Sequence, residues 1–289
     1  MRFGIVANPK SGPASVAHKA QTLQKIGDIL GNDSLLAGLD TTSRDEFVQC
    51  ARDVAEKVDV LVVAGGDGTF SDVINAVDPE ATLSYLPFGS GCALRYAMGL
   101  PPQLTRIANQ IKEGQLRQLD LILCDESIKA FMASVGLEGD ILYRREALQD
   151  SGVHGPQAYA MATFGLFFAD LERTHMTIEV DGQTIIVPDA VTTIITKIAY
   201  YGYKMKVVPN AVFDDGYLHL LAVNSSWAEI VQNLANAFLN ENKLGTYRKA
   251  HEIQIDAPRE RYAQLDGNIY RKGTSFHFKV LPQALKVWC

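Results

Sequence analysis

Cysteine is scarce and scattered. The four present, Cys50, Cys92, Cys124 and Cys289, form no CxxC pair and share no histidine spacing of the zinc-site kind. A disulfide framework is thereby excluded, and a reduced, cytoplasmic protein is expected. Long hydrophobic runs are also missing. The apolar stretch AYAMATFGLFFA (158–169) falls short of the about 20 residues that a membrane span needs, so any encounter with a membrane is expected from its surface. The opening MRFGIVANPKSG has too short an apolar run for a signal peptide. Nor is there an excess of basic residues: 27 Lys and Arg against 33 Asp and Glu leave a net charge of −6, which argues against a broad nucleic-acid surface. Repeats, low-complexity tracts and charged tails are absent. What remains is an ordinary globular balance, 47% hydrophobic and 21% charged over 289 residues, enough for one large domain or two moderate ones.

The first 120 residues alternate strand-like and helix-like segments. RFGIVAN (2–8), LLAGL (35–39), VDVLVVAG (58–65) and TLSYLPFG (82–89) read as strands. SVAHKAQTLQKIGDIL (15–30), RDEFVQCARDVAEK (44–57) and TFSDVINAV (69–77) read as helices between them. Buried strands separated by helical periods predict βαβ units and a parallel sheet. Beyond residue 120 the pattern changes. MTIEVDGQTIIVP (176–188) places Asp-Gly between two alternating runs, a hairpin signal. VTTIITKIAY, YLHLLAV, HEIQIDA, RYAQLDGNIY and SFHFKVLP read as further β segments, and one helix, WAEIVQNLANAFLNEN, interrupts them. An α/β domain over 1–122 and a mostly antiparallel β domain over 123–279 are therefore expected, with residues 280–289 returning to the first.

Three glycine loops follow strands at the end where parallel sheets bind ligands: NPKSG (8–12), GGDGT (65–69) and PFGSG (87–91). Each combines backbone N–H groups with a hydroxyl at a strand-to-helix step, a natural seat for phosphate. Asp67 would repel phosphate directly and makes sense beside a cation or a substrate hydroxyl. The loops match neither the Walker A pattern nor GxGxxG. They suit a nucleotide polyphosphate with Mg²⁺.

Taken in order, NPKSG, GGDGT, GSGCALRYAMGLP (89–101), QLDL (118–121), FMASVGLEGD (131–140), PNAVFDDGYL (209–218) and LDG (265–267) resemble the diacylglycerol kinase catalytic-domain family. That family includes bacterial lipid kinases and the sphingosine and ceramide kinases; GGDGT alone is shared with NAD kinases. The resemblance implies a Rossmann-like N-terminal domain, a C-terminal antiparallel β-sandwich-like domain and a nucleotide cleft between them. It implies ATP and Mg as cofactors and transfer of a phosphoryl group to a lipid hydroxyl. Asn8, Pro9, Lys10, Ser11, Gly12, Gly65, Gly66, Asp67, Gly68, Thr69 and Ser90 would surround the nucleotide, joined by Thr41, with Thr42 aligning almost as well. Asp67 and Asp120 resemble the acids around Mg²⁺. Asp215, with the carbonyls of Val212 and Tyr217, resembles a second, structural metal site. The partners implied are nucleotide, a lipid alcohol and a transient membrane surface, peripheral and cytoplasmic; a homodimer stays open.

Three departures stand out. Relatives often read G-T-G-N where this chain has G-S-G-C, so Cys92 replaces a carboxamide, and Ala93 stands where one branch carries Asp. After the late Asp-Gly, family kinases usually have a Glu as general base; here the residue is Asn268, which does not ionise near neutral pH. A general base contributes about 10²–10⁴-fold, so Asp67 or Asp266 would have to substitute, or the chain is a catalytically deficient relative that binds nucleotide or lipid. An NAD-kinase-like activity is a third reading. Arg144, Arg145, Lys204 and Lys206 read as solvated faces, with anionic headgroups as the alternative. FGLFF (164–168) reads as core, His219 as a core or surface strand residue, and Cys92, at a helix start, as a candidate low-pKa thiol.

Overall fold

A computed structural model describes residues 1–31, 33–89, 91–152, 161–162, 165, 172–239 and 242–289. They form two compact units, one of residues 1–121, 200–204 and 282–289, the other of residues 122–199 and 205–281.

In the first unit the chain runs β1 (Phe3–Ala7), α1 (Val16–Leu30), β2 (Leu35–Ala37), α2 (Arg44–Ala55), β3 (Val60–Gly65), α3 (Asp67–Ile74), β4 (Thr82–Pro87), α4 (Ala93–Ala97) and α5 (Leu104–Lys112). The strands pair in parallel in the order β2-β1-β3-β4, with Val6 opposite Ala37 and Val63, and Val63 opposite Tyr85. β5 (Leu116–Cys124) leads out of this unit, and β14 (Asn268–Trp288) returns to it, where Lys286 and Val287 extend the parallel sheet beside β4. Every residue of β1 and β3 is buried, as a sheet covered on both faces requires. Phe3, Ile5 and Ala7 meet Leu23, Ile26 and Leu30 of α1 and Ile107, Ala108 and Ile111 of α5. On the other face Gly4 lies under Val54 of α2 and Val58, whose methyls a Cβ would meet at 2.6 and 2.9 Å. Serines start the first two helices: Ser15 accepts from the His18 N–H and Ser43 from the Glu46 N–H.

The second unit holds β6 (Ile128–Ala130), β7 (Met132–Gly136), α6 (Leu137–Asp150), β8 (Thr174–Val180), β9 (Gln183–Ala190), β10 (Thr192–Thr196), β11 (Leu218–Val223), α7 (Trp227–Phe238), β12 (Thr246–Ala250) and β13 (Glu252–Leu265), with the start of β14. All pairings among these strands are antiparallel, along the path β12-β11-β10-β7-β13-β8-β9. A sandwich-like core of Ile122, Val135, Ile178, Ile195, Leu220, Ile253, Phe276 and Phe278 fills its interior. Two hairpins turn on Asp-Gly with positive φ at both residues, Asp181 and Gly182 (47° and 79°) and Asp266 and Gly267 (50° and 86°), the geometry that right-twisted strands prefer.

The expectation of a single helix in this half is corrected: α6 is a second one. Its polar residues, among them Arg144, Arg145 and Glu146, interrupt any apolar stripe, so periodicity alone does not disclose it. Its placement is tertiary, set by Gly136, whose φ of 117° and approach to the Val191 carbonyl admit no side chain.

Candidate active site

The loops after β1, β3 and β4 pack on one another, and glycine makes this possible. A Cβ on Gly12 would lie 2.0 Å from the Phe88 carbonyl oxygen, at a φ of 67° that L side chains avoid. A Cβ on Gly89 would lie 2.7 Å from Gly66 Cα. Phe88 and Gly89 donate their N–H groups to the Gly65 carbonyl, at 2.9 and 3.3 Å.

Side chains complete the cluster. Asn8 Oδ1 accepts the Lys10 N–H at 2.8 Å, an Asx turn that shapes the loop, while Asn8 Nδ2 donates to Thr69 Oγ1 at 3.0 Å. Ser11 Oγ lies 3.0 Å from the same hydroxyl. Asn8, Ser11 and Thr69, from two loops separated by about sixty positions in sequence, thus form one polar group. Lys10 Nζ reaches the Thr42 carbonyl at 2.8 Å, and Thr41 Oγ1 turns back to the Gly38 carbonyl at 2.7 Å. Pro9 is held from behind, since Lys19 Nζ donates to its carbonyl at 2.6 Å. Ser90 lies outside the described residues.

Asp67 is the first residue of α3, where the amides of Asp67, Gly68 and Thr69 have no place in the helix's own ladder. Its carboxylate turns toward the next helix: Oδ2 accepts the Ala93 N–H at 2.7 Å, and Oδ1 accepts the Leu94 N–H at 3.1 Å and the Tyr85 hydroxyl at 3.3 Å. Burial raises the Asp67 pKa above the ordinary carboxylate value, and these hydrogen bonds oppose the rise. A carboxylate presents roughly four acceptor sites; three are used, which leaves room on Oδ2. Cys92 precedes α4 in the left-handed region, with φ 40°, and donates Sγ–H to the Gly89 carbonyl at 3.0 Å. Burial pushes its thiol up to about 11, so the low-pKa expectation is corrected.

The remaining candidate acids are held by backbone. Asp120 is 1% exposed and accepts the N–H of Gln283, a residue at φ 54°. Asp266 is 2% exposed, and its Oδ1 accepts the Phe131 and Met132 N–H groups at 3.1 and 2.9 Å. Asn268, two residues on, is exposed at the start of β14. Among the described residues no three His, Cys, Asp or Glu side chains converge to hold a metal ion.

Comparison with known proteins decides the family. Residues 2–124 match the diacylglycerol kinase catalytic domain, and residues 134–289 match the YegS C-terminal NAD kinase beta sandwich-like domain. The chain belongs to the diacylglycerol kinase family. A diacylglycerol kinase of Staphylococcus saprophyticus is 26% identical over 279 residues, covering 92% of this chain and 88% of that protein. The diacylglycerol kinase of Bacillus subtilis is 24% identical over 277 residues, covering 92% and 89%. A Bacillus anthracis diacylglycerol kinase crystal structure has the same fold, with TM-score 0.73 at 19% identity over 99% of this chain and 96% of that one. An Archaeoglobus fulgidus NAD kinase in complex with ATP shares the fold more distantly, with TM-score 0.54 at 10% identity over 99% and 93%.

Against this family the DDGYL loop of the second unit differs from what the resemblance implies. Asp215 Oδ1 and the Tyr217 carbonyl oxygen converge, but on Lys197 Nζ, at 2.9 and 2.5 Å. Lys249 Nζ takes Asp215 Oδ2 at 2.8 Å, and the Val212 N–H points to His219 Nε2 at 3.1 Å. Two of the three groups expected at a metal site, the Asp215 carboxylate and the Tyr217 carbonyl, are thus engaged by lysines of the chain itself.

Two site residues escaped the sequence reading. Tyr85 lay in a plain strand pattern, and nothing local announces that its hydroxyl meets Asp67. Lys19 carried a signal: it shares the apolar stripe of α1 with Leu23, Ile26 and Leu30, and a lysine on such a stripe needs a buried partner.

Proposed function

We propose that the protein is an ATP- and Mg-dependent kinase that phosphorylates a lipid hydroxyl of diacylglycerol or sphingoid type, visiting the membrane surface from the cytoplasmic side. The observation that carries this reading is the packing of three glycine loops around the Asn8–Ser11–Thr69 group, with the unladdered amides of α3 beside it. Those amides would hold phosphate oxygens at the positive end of the helix dipole. Bound with the nucleotide, Mg²⁺ would offset the charge of the phosphates. Asp67, whose pKa is raised by burial and whose Oδ2 has acceptor capacity left, is the group suited to take the acceptor hydroxyl's proton. Asp266 Oδ1 is engaged by the Phe131 and Met132 amides. No helix among the described residues is long and apolar enough to cross a membrane.

Asn268 favours a second reading, a family member that retains nucleotide or lipid binding with little turnover. Transfer from labelled ATP to a panel of lipid alcohols in mixed micelles, with NAD as a separate acceptor, distinguishes the two. Turnover of a lipid that falls about 10²–10⁴-fold in Asp67→Ala supports a kinase with a relocated base. A silent natural protein that gains activity in Asn268→Glu supports the deficient relative. Preferential turnover of NAD overturns both.

A further inference from the structure

We infer that the ammonium group of Lys197 is the resident cation of the DDGYL loop, so that the second unit is held together without a structural metal ion. The inference is independent of the kinase reading, because it concerns stability and not turnover.

The register of three strands builds the cluster. His219 of β11 lies opposite Thr196 of β10 on one side and Lys249 of β12 on the other. Lys197 follows Thr196 directly, and its backbone is anchored by donation of its N–H to the Phe131 carbonyl at 2.8 Å. The Lys197 side chain is fully buried, and its Nζ bridges Asp215 Oδ1 and the Tyr217 carbonyl across the loop. A carboxylate and a peptide carbonyl are the donors a hard divalent cation would use. Here they are answered by an ammonium that the strand itself delivers. A tethered cation needs no dehydration from bulk and cannot dissociate. Lys249 closes the other carboxylate oxygen and lies 5.5 Å from the centre of the Tyr217 ring. One carboxylate thus already faces two ammonium groups, and a divalent ion placed among them would meet their repulsion.

The test is thermal unfolding of the full chain without nucleotide, in EDTA and in millimolar Mg²⁺ or Ca²⁺, for the natural protein, Lys197→Met and Asp215→Asn. The natural protein is expected to melt at the same temperature in all three solutions. Lys197→Met, which strips a buried pair of one partner, is expected to melt about 5–10 °C lower in EDTA and to recover part of that loss when a divalent ion is added. A natural protein whose midpoint rises with the divalent ion, with the rise abolished in Asp215→Asn, overturns the inference. A rise that persists in Asp215→Asn locates the ion elsewhere and leaves Lys197 in place. If Lys197→Met does not fold, the comparison of the natural protein with Asp215→Asn still decides. A Lys197→Met protein that melts like the natural one in EDTA also overturns it.

Discussion

The two units solve the problem of a polar loop in opposite ways. At the carboxyl ends of β1, β3 and β4, the loops have shed side chains. Gly12, Gly66 and Gly89 bring backbone against backbone, and the donors left over are amides and hydroxyls. Such a place gains from an anion, because nothing in it already carries the compensating negative charge except Asp67, which is turned to the amides of α4. At the DDGYL loop the chain has done the reverse. Asp215 is held between Lys197 and Lys249, and its charge is answered within the fold. The comparison shows that polar density alone does not mark a ligand site. What marks it is whether the local charge and hydrogen-bonding capacity are still uncompensated once the chain has folded.

The largest effect that would break this comparison is at Gly12. With a Cβ in Gly12→Ala driven against the Phe88 carbonyl at positive φ, the first and third loops must separate. Nucleotide binding should be lost and the unfolding midpoint should fall by about 5 °C or more, read by ATP titration and thermal unfolding. A variant that melts and binds ATP like the natural protein would show that loop packing is not the basis of the site.

Acid sharpens the other side. Asp215 has a folded pKa below its unfolded value of about 3.9. Its stabilising contribution is therefore complete above that unfolded value and is lost as pH falls through the folded one. Urea midpoints measured from about pH 5 downward should drop more steeply in the natural protein than in Asp215→Asn. Equal slopes would mean that the pairs with Lys197 and Lys249 contribute nothing to folding.

The smallest effect concerns Cys92. Left-handed backbone favours asparagine over cysteine, and a carboxamide can replace the thiol as donor to the Gly89 carbonyl. Cys92→Asn should raise the unfolding midpoint by about 1–3 °C. A fall would show that the pocket around Tyr85, whose own pKa is pushed up by burial, is shaped to the sulfur.

Much of this was legible before any coordinates. β1, β3 and β4 announce themselves as apolar runs, α1 and α2 by their periodicity, and the β8–β9 hairpin by Asp-Gly. The order of the glycine loops pointed to the family. Other features were not legible, for reasons that are physical. α6, which packs on β13, lacks an apolar stripe because its apolar residues, such as Leu137, Ile141 and Leu148, are interrupted by charged ones. Nothing local shows that Ala93, Leu94 and Tyr85 take three of the acceptor sites of Asp67. Nor does anything local show that Asp266 Oδ1 receives the Phe131 and Met132 amides. Lys197 reads as an ordinary strand-end lysine.

The sequence by itself determined which segments of the first unit are strands and helices and where its three glycine loops fall, because periodicity and glycine placement are local properties. The tertiary structure alone decided which carboxylates are compensated and which retain a free acceptor. A charge's fate is set by its partners, and those partners arrive from strands and helices tens of residues away, so no local pattern encodes whether an aspartate will meet a ligand or a lysine.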